Sequence, residues 1–155
     1  MKILKFFLIL FVIHITNNLF AQTVTLDPAF GENGITVIHN TAPICFFDFD
    51  IQGNIIAVGY GFDTTEATRF VSIAKTNADG IIDRNFGKNG TVRIADKNTT
   101  QPRGLKITKE NKIVVIVLRW IEQYEQYATI IMRFNEDGTV DQNFGDNGEV
   151  NLNEK

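Results

Sequence analysis

One cysteine, one serine and two histidines in 155 residues leave little material for side-chain chemistry. Cys45 has no partner for an internal disulfide, so the fold is not stapled. Past residue 21, Ser72, His39 and Cys45 are each the single member of their type. Nucleophilic triads and His/Cys metal centres need several such groups to converge, so neither is indicated, and no cofactor is implied. Ser72 falls in an expected strand, His39 in a loop, and Cys45 reads as a small buried hydrophobe. Phosphate loops of the Walker or dinucleotide type are also missing: the Asn-Gly bends of this chain lead into strands, whereas phosphate loops lead into helices.

Positive charge is scarce as well. Lysine and arginine total 15 against 18 acids, and the bases are scattered singly among the acids. A phosphate backbone or an anionic membrane surface needs a clustered basic footprint, so neither is an expected partner. No apolar run reaches the roughly 20 residues that span a bilayer. The longest, 6–15, is about half that; it follows Lys2 and Lys5 and precedes a polar stretch ending at Ala21. This is the layout of a cleavable export signal, expected to occupy residues 1–21 and to leave a mature domain of 22–155. Its removal takes two lysines and no acid, moving the net charge from −3 to −5. Cys45 is not placed where a lipid-attachment cysteine would follow the signal. The expected product is secreted, soluble and free of a membrane span.

What the chain does have is repetition. Residues 82–90 read IDRNFGKNG, 140–148 read VDQNFGDNG, and 26–34 read LDPAFGENG. The shared pattern places Asp27, Phe30, Gly31 and Gly34 in register with Asp83, Phe86, Gly87 and Gly90, and with Asp141, Phe144, Gly145 and Gly148. Successive aspartates are 56 and 58 residues apart. The two-residue difference is expected in HNTAPI or DKNTTQP, because insertions are tolerated in loops. The units are therefore a partial one at 26–38 and two complete ones at about 39–94 and 95–152.

Each complete unit reads as four strands. Residues 55–60 and 113–118 are short Ile/Val-rich runs without polar alternation, suited to a strand covered on both faces. Phe47 and Phe49 alternate with Asp48, as Leu105 and Ile107 do with Lys106, which marks a neighbouring strand. Gly53 and Asn111 mark the turns between them. Residues 70–75 and 129–134 form a third strand, closed by turns at 77–80 and 135–138. After each nonapeptide, ITVI, TVRI and EVNL alternate as fourth strands. In the nonapeptide, Asp caps a short turn, Phe plugs the gap beneath it and Asn-Gly bends the chain into the next strand. The three phenylalanines are accordingly expected to be equally buried. Calcium binding by Asp141, Asp146 and Asn147 is the rival reading, but the alternating oxygen ligands closed by a glutamate are absent.

These motifs resemble those of the delta-60 repeat family of bacterial surface and secreted proteins. The likeness runs through residues 26–37, through QGNIIAVG from Gln52, and through 133–141, with Lys75, Thr76 and Asn111 as mild departures. The resemblance implies an all-β fold of tandem four-stranded antiparallel blades, propeller-like, here two blades plus a leading strand. It implies no catalytic residues. A two-sheet β-sandwich is the alternative architecture, since two units do not make a closed ring.

Binding chemistry concentrates after the second strand of each unit. Arg119, Trp120, Tyr124 and Tyr127 crowd RWIEQYEQY, and Tyr60 with Phe62 holds the equivalent place. In a propeller these connections share one face with residues 39–44 and 95–102. Trp and Tyr offer broad contact area with a polar handle, which suits a protein or glycan partner. The plainer reading is that Trp120, Tyr124 and Tyr127 pack a loop onto the sheet. The expected function is a non-enzymatic interaction or scaffolding module. Two alternatives stand beside it: a carbohydrate-active enzyme using Asp63 with Glu66 or Glu122 with Glu125, and a remnant of a longer repeat protein. Because each sheet seeks cover on both faces, self-association or docking onto a longer repeat protein is also expected.

Overall fold

The structure, a computed structural model, describes residues 24–38, 43–94 and 98–153. The expected export signal and His39 lie outside these residues, as do 39–42 of HNTAPI and 96–97 of DKNTTQP; the rest of DKNTTQP is not the expected loop, since residues 99–102 open a strand. The described chain is all-β, with two four-stranded antiparallel sheets ordered along the sequence. The first comprises β1 (Ile44–Phe49), β2 (Ile55–Asp63), β3 (Thr68–Thr76) and β4 (Thr91–Ile94). The second comprises β5 (Thr99–Ile107), β6 (Ile113–Ile121), β7 (Gln126–Phe134) and β8 (Glu149–Asn151), with one 3-10 turn at Glu122–Tyr124. Each sheet falls inside one sequence unit. No helix among the described residues is long and apolar enough to cross a membrane.

The sheets face each other across a single core. Alternation along each strand decides which side chains enter it. Ile56 and Val58 of β2, Val71 and Ile73 of β3 and Ile94 of β4 line one wall. Ile113, Val115 and Val117 of β6 with Ile130, Met132 and Phe134 of β7 line the other. Burying each such side chain contributes roughly 1.5–3 kcal/mol, which makes this wall-to-wall contact the main stabilising feature. Two polar seams frame it. The carboxylate of Asp48 in β1 accepts hydrogen bonds from the Ile107 N–H at 2.9 Å and the Lys106 ammonium at 2.7 Å. Asn111 accepts the Ile51 N–H and donates to Gln52 through its amide, tying the β1–β2 turn to the β5–β6 turn. A buried ammonium, Lys75, lies 3.5 Å from the buried carboxylate of Asp50 and 3.6 Å from Glu136.

The three nonapeptides have one backbone geometry. In each, the Phe N–H donates to the Asp carbonyl at 3.0–3.1 Å, and the last Gly N–H donates to the Phe carbonyl at 2.8–2.9 Å. Gly31, Gly87 and Gly145 have φ of 58°, 53° and 55°, and Asn33, Asn89 and Asn147 follow at 53°, 53° and 51°. Both positions are left-handed, where Gly and Asn carry the least steric cost. The aspartates accept from the N–H two residues on, so they stabilise a turn and no helix.

Four further expectations are corrected. ITVI at 35–38 is not a strand: β4 and β8 each pair with the third strand of their own unit, and the partial unit supplies none. The phenylalanines are not equally buried. Phe86 is 1% exposed, whereas Phe30 and Phe144 are half-buried, because only Phe86 has a complete sheet on either side of it. Cys45 is exposed, since it is the bulged residue between Ile44 and Phe46 on an edge strand. Of the sides of β6 expected to be covered, only one is: Val114, Ile116 and Leu118 are half-buried.

Candidate functional site

The β2–β3 and β6–β7 hairpins each extend three residues beyond the apolar run that marks their first strand. Tyr60, Phe62, Arg119, Trp120 and Tyr127 are therefore strand residues, and only Tyr124 belongs to the connection, in the 3-10 turn. Registered pairing explains which of them meet. Phe62 is opposite Arg69, and Tyr60, two residues earlier, shares their face. With Gly61 and with Gln101 of β5, these residues line a cleft of about 360 Å³ at the hairpin end of the molecule. Tyr60 and Phe62 are 39% and 58% exposed, large values for aromatic residues of a paired strand. Among the described residues, the side chains of Tyr60, Arg69 and Gln101 have no hydrogen-bond or ion-pair partner. A phenol, a guanidinium and a carboxamide are thus available around two aromatic rings.

The second unit builds a related patch. Trp120 stands where Phe62 stands and Tyr127 where Arg69 stands, and their rings meet edge-to-face with centroids 5.1 Å apart. Tyr127 and Tyr124 remain half or more exposed. The two patches occupy corresponding ends of successive sheets, one opening toward the seam between the sheets and the other outward. Arg119 separates from them. It points to the opposite face of β6, where its guanidinium forms a two-pronged ion pair with Glu149 of β8, at 2.5 and 2.9 Å. The expected neighbours at 39–42 and 95–97 lie outside the described residues, whereas Gln101 is in the cleft.

Arg69 and Gln101 were not singled out in the sequence. The signal for Arg69 was the hairpin register, which becomes legible only once β2 is known to run to Asp63. The carboxylate pair Asp63 and Glu66 is clasped by one guanidinium, with Arg93 2.8 Å from Asp63 and 3.0 Å from Glu66. That contact, with the N–H groups of Glu66 and Thr65, holds the Asp63 carboxyl below the usual carboxylate range. A general acid of a glycosidase needs the opposite shift. Glu122 and Glu125 flank Tyr124 and are exposed, with Glu125 in a left-handed conformation. The Asp141 carboxylate is 2.8 Å from Arg133 and 3.2 Å from Lys112.

Other concavities serve the corners. One, about 540 Å³, lies between residues 31–37 and the Gly80 turn, and another, about 290 Å³, lies between β4 and the second sheet. No family model, curated protein or solved structure matches the chain.

Proposed function

We propose that this chain is an exported, non-enzymatic β-repeat module of the delta-60 kind, with propeller-like units, that binds a protein or glycan partner through the hairpin ends of its sheets. The observation that carries this reading is the cleft of Tyr60, Phe62, Arg69 and Gln101, where aromatic surface and unengaged polar groups coincide. Aromatic faces stack on sugar rings or on apolar side chains, while the guanidinium and the carboxamide orient a carboxylate, carbonyl or hydroxyl. The outward patch of Trp120, Tyr124 and Tyr127 extends the contact to a larger partner. Clasping of Asp63 and Glu66 by Arg93 favours binding over glycoside hydrolysis.

The test is a glycan-array and surface-protein binding screen with the chain, repeated for Tyr60→Ala, Phe62→Ala and Arg69→Ala. A hit weakened at least tenfold by each substitution supports the reading. Hits indifferent to all three, or glycan cleavage that vanishes in a Glu122→Gln/Glu125→Gln variant, would replace it.

A further inference from the structure

The chain uses one docking contact twice and carries its donor half a third time. In the first use, the Gly31 N–H donates to the Asp79 carbonyl at 2.7 Å, and Gly80 lies so close beneath the Phe30 ring that a side chain there would meet it. In the second, the Gly87 N–H donates to the Asp137 carbonyl at 2.8 Å, and Gly138 lies beneath Phe86 in the same way. The residue after each corner completes the seat: Thr36 donates to the Gly80 carbonyl, and Val92 packs over Gly138. Each corner is thus a socket for an Asn-x-Asp-Gly turn, at 77–80 and 135–138 respectively.

The third corner has the same φ angles and the same internal hydrogen bonds, but no turn is seated on it among the described residues, and the Arg133 guanidinium of its own unit lies over the Phe144 ring, 4.4 Å from the centroid. Gly145 is exposed and its N–H has no carbonyl partner there, Phe144 is half-buried, and Val150 holds the place of Val92. The sheet behind it matches. Val114, Ile116 and Ile131 correspond to Ile56, Val58 and Ile73, which form the packed wall of the first sheet, yet they are only half-buried. The opposite outer face, on the first sheet, is of a different kind. Ala57, Ser72 and Ala74 stand there in place of Val115, Ile130 and Met132.

We infer that residues 141–150 dock the 77–80 turn of a second copy of this chain, with its Asp79 carbonyl on the Gly145 N–H and its Gly80 beneath Phe144. The choice of occupant follows from which turns can be presented. The 135–138 turn is held inside the molecule against a complete sheet. Among the described residues, the corner seated on the 77–80 turn is that of residues 26–38, whose Leu26, Ile35 and Val37 are 52–61% exposed. Exchange of one corner for its own repeat replaces the Gly31 N–H by the Gly145 N–H on the Asp79 carbonyl, gives up the Thr36 hydrogen bond to the Gly80 carbonyl, because the Val150 side chain has no donor, and adds burial of Phe144 and of the second sheet's outer face. The contact is head-to-tail, so it propagates or closes a ring, and the leading corner is its built-in competitor.

Light scattering coupled to size exclusion, on the full chain from about 1 to 100 μM, tests this with two substitutions of opposite expected sign. Concentration-dependent association is expected. Phe144→Ala is expected to weaken it at least tenfold, and Phe30→Ala, which loosens the competitor, to strengthen it severalfold. Val150→Lys, with circular dichroism to confirm folding, replaces Phe144→Ala if that variant unfolds, and is expected to weaken association likewise. A monomer throughout the range overturns the inference, as does association that neither Phe144→Ala nor Val150→Lys changes. Weakening without the Phe30→Ala gain overturns the exchange with the leading corner.

Discussion

The backbone N–H of Gly87 donates to the carbonyl oxygen of Asp137, 2.8 Å away and 50 residues later, and so fastens the corner of one unit to the turn of the next. The bond is possible because Gly87 is left-handed and because Gly138, next to Asp137, has no side chain to hold the strands apart.

Gly138→Ala therefore carries two costs. Its φ of +87° is unfavourable for any L residue, at about 1–2 kcal/mol, and the new methyl would stand 2.6 Å from Val92 and 3.0 Å from the Phe86 ring. Gly53→Ala, at φ +80°, meets only Ala78 at 3.7 Å and carries the first cost alone. Urea unfolding is expected to show Gly138→Ala less stable than Gly53→Ala by about 1–3 kcal/mol. Equal losses would mean that the corner is not pressed against the turn.

Lys75 and Asp50 are buried together, with side chains 6% and 2% exposed, and Asp50 also accepts hydrogen bonds from Gln52 and Asn54. Lys75→Met strands a buried carboxylate and is expected to cost about 3–5 kcal/mol. The double variant with Asp50→Asn is expected to recover much of that loss. Additive losses in this double-mutant cycle would mean that the two groups do not interact.

Of these features, the sequence made the strands, the turns and the three-fold corner legible, because Ile/Val runs, Asn-Gly bends and a period of 58 are local signals. TVRI was legible as β4 for the same reason, while the alternation of Ile35, Thr36 and Val37 in ITVI misled: pairing needs a neighbour, and alternation alone does not reveal that the neighbour is missing. Equal burial of Phe30, Phe86 and Phe144 failed likewise, since burial depends on what lies beyond the repeat. At the candidate site, the aromatic residues were visible by type. Their grouping was not, because a strand end placed three residues too early left Phe62 in a loop and hid Arg69 opposite it. Arg119 was grouped with Trp120 by adjacency, although neighbours along a strand face opposite ways.

The sheet-to-sheet seam predicts an acid response. Burial pushes the Asp48 carboxyl up, but the hydrogen bonds from Lys106 and from the N–H groups of Ile107 and Phe49 outweigh it and leave the pKa below its ordinary value. A carboxyl depressed in the folded state stabilises fully above its unfolded pKa of about 3.9 and loses that contribution as pH falls through the folded value. Asp48→Asn is expected to cost about 1–2 kcal/mol at pH 7 and to flatten the loss of stability below about pH 4. Urea titrations from pH 2.5 to 7 check this, and parallel curves for the two proteins would remove Asp48 from the seam.

Amide hydrogen exchange at Gly31, Gly87 and Gly145 reads the account most directly, because the three N–H groups share one backbone geometry and differ in their acceptors. At concentrations where the chain is monomeric, Gly87 is expected to be the most protected, with opening that approaches global unfolding. Gly31, held by the exposed leading corner, is expected to exchange faster, and Gly145 at close to the rate of a solvated amide. Gly145 protected as strongly as Gly87 in the monomer, or Gly87 exchanging as fast as Gly145, would contradict the claim that the corner of each unit is fastened by the turn of the next.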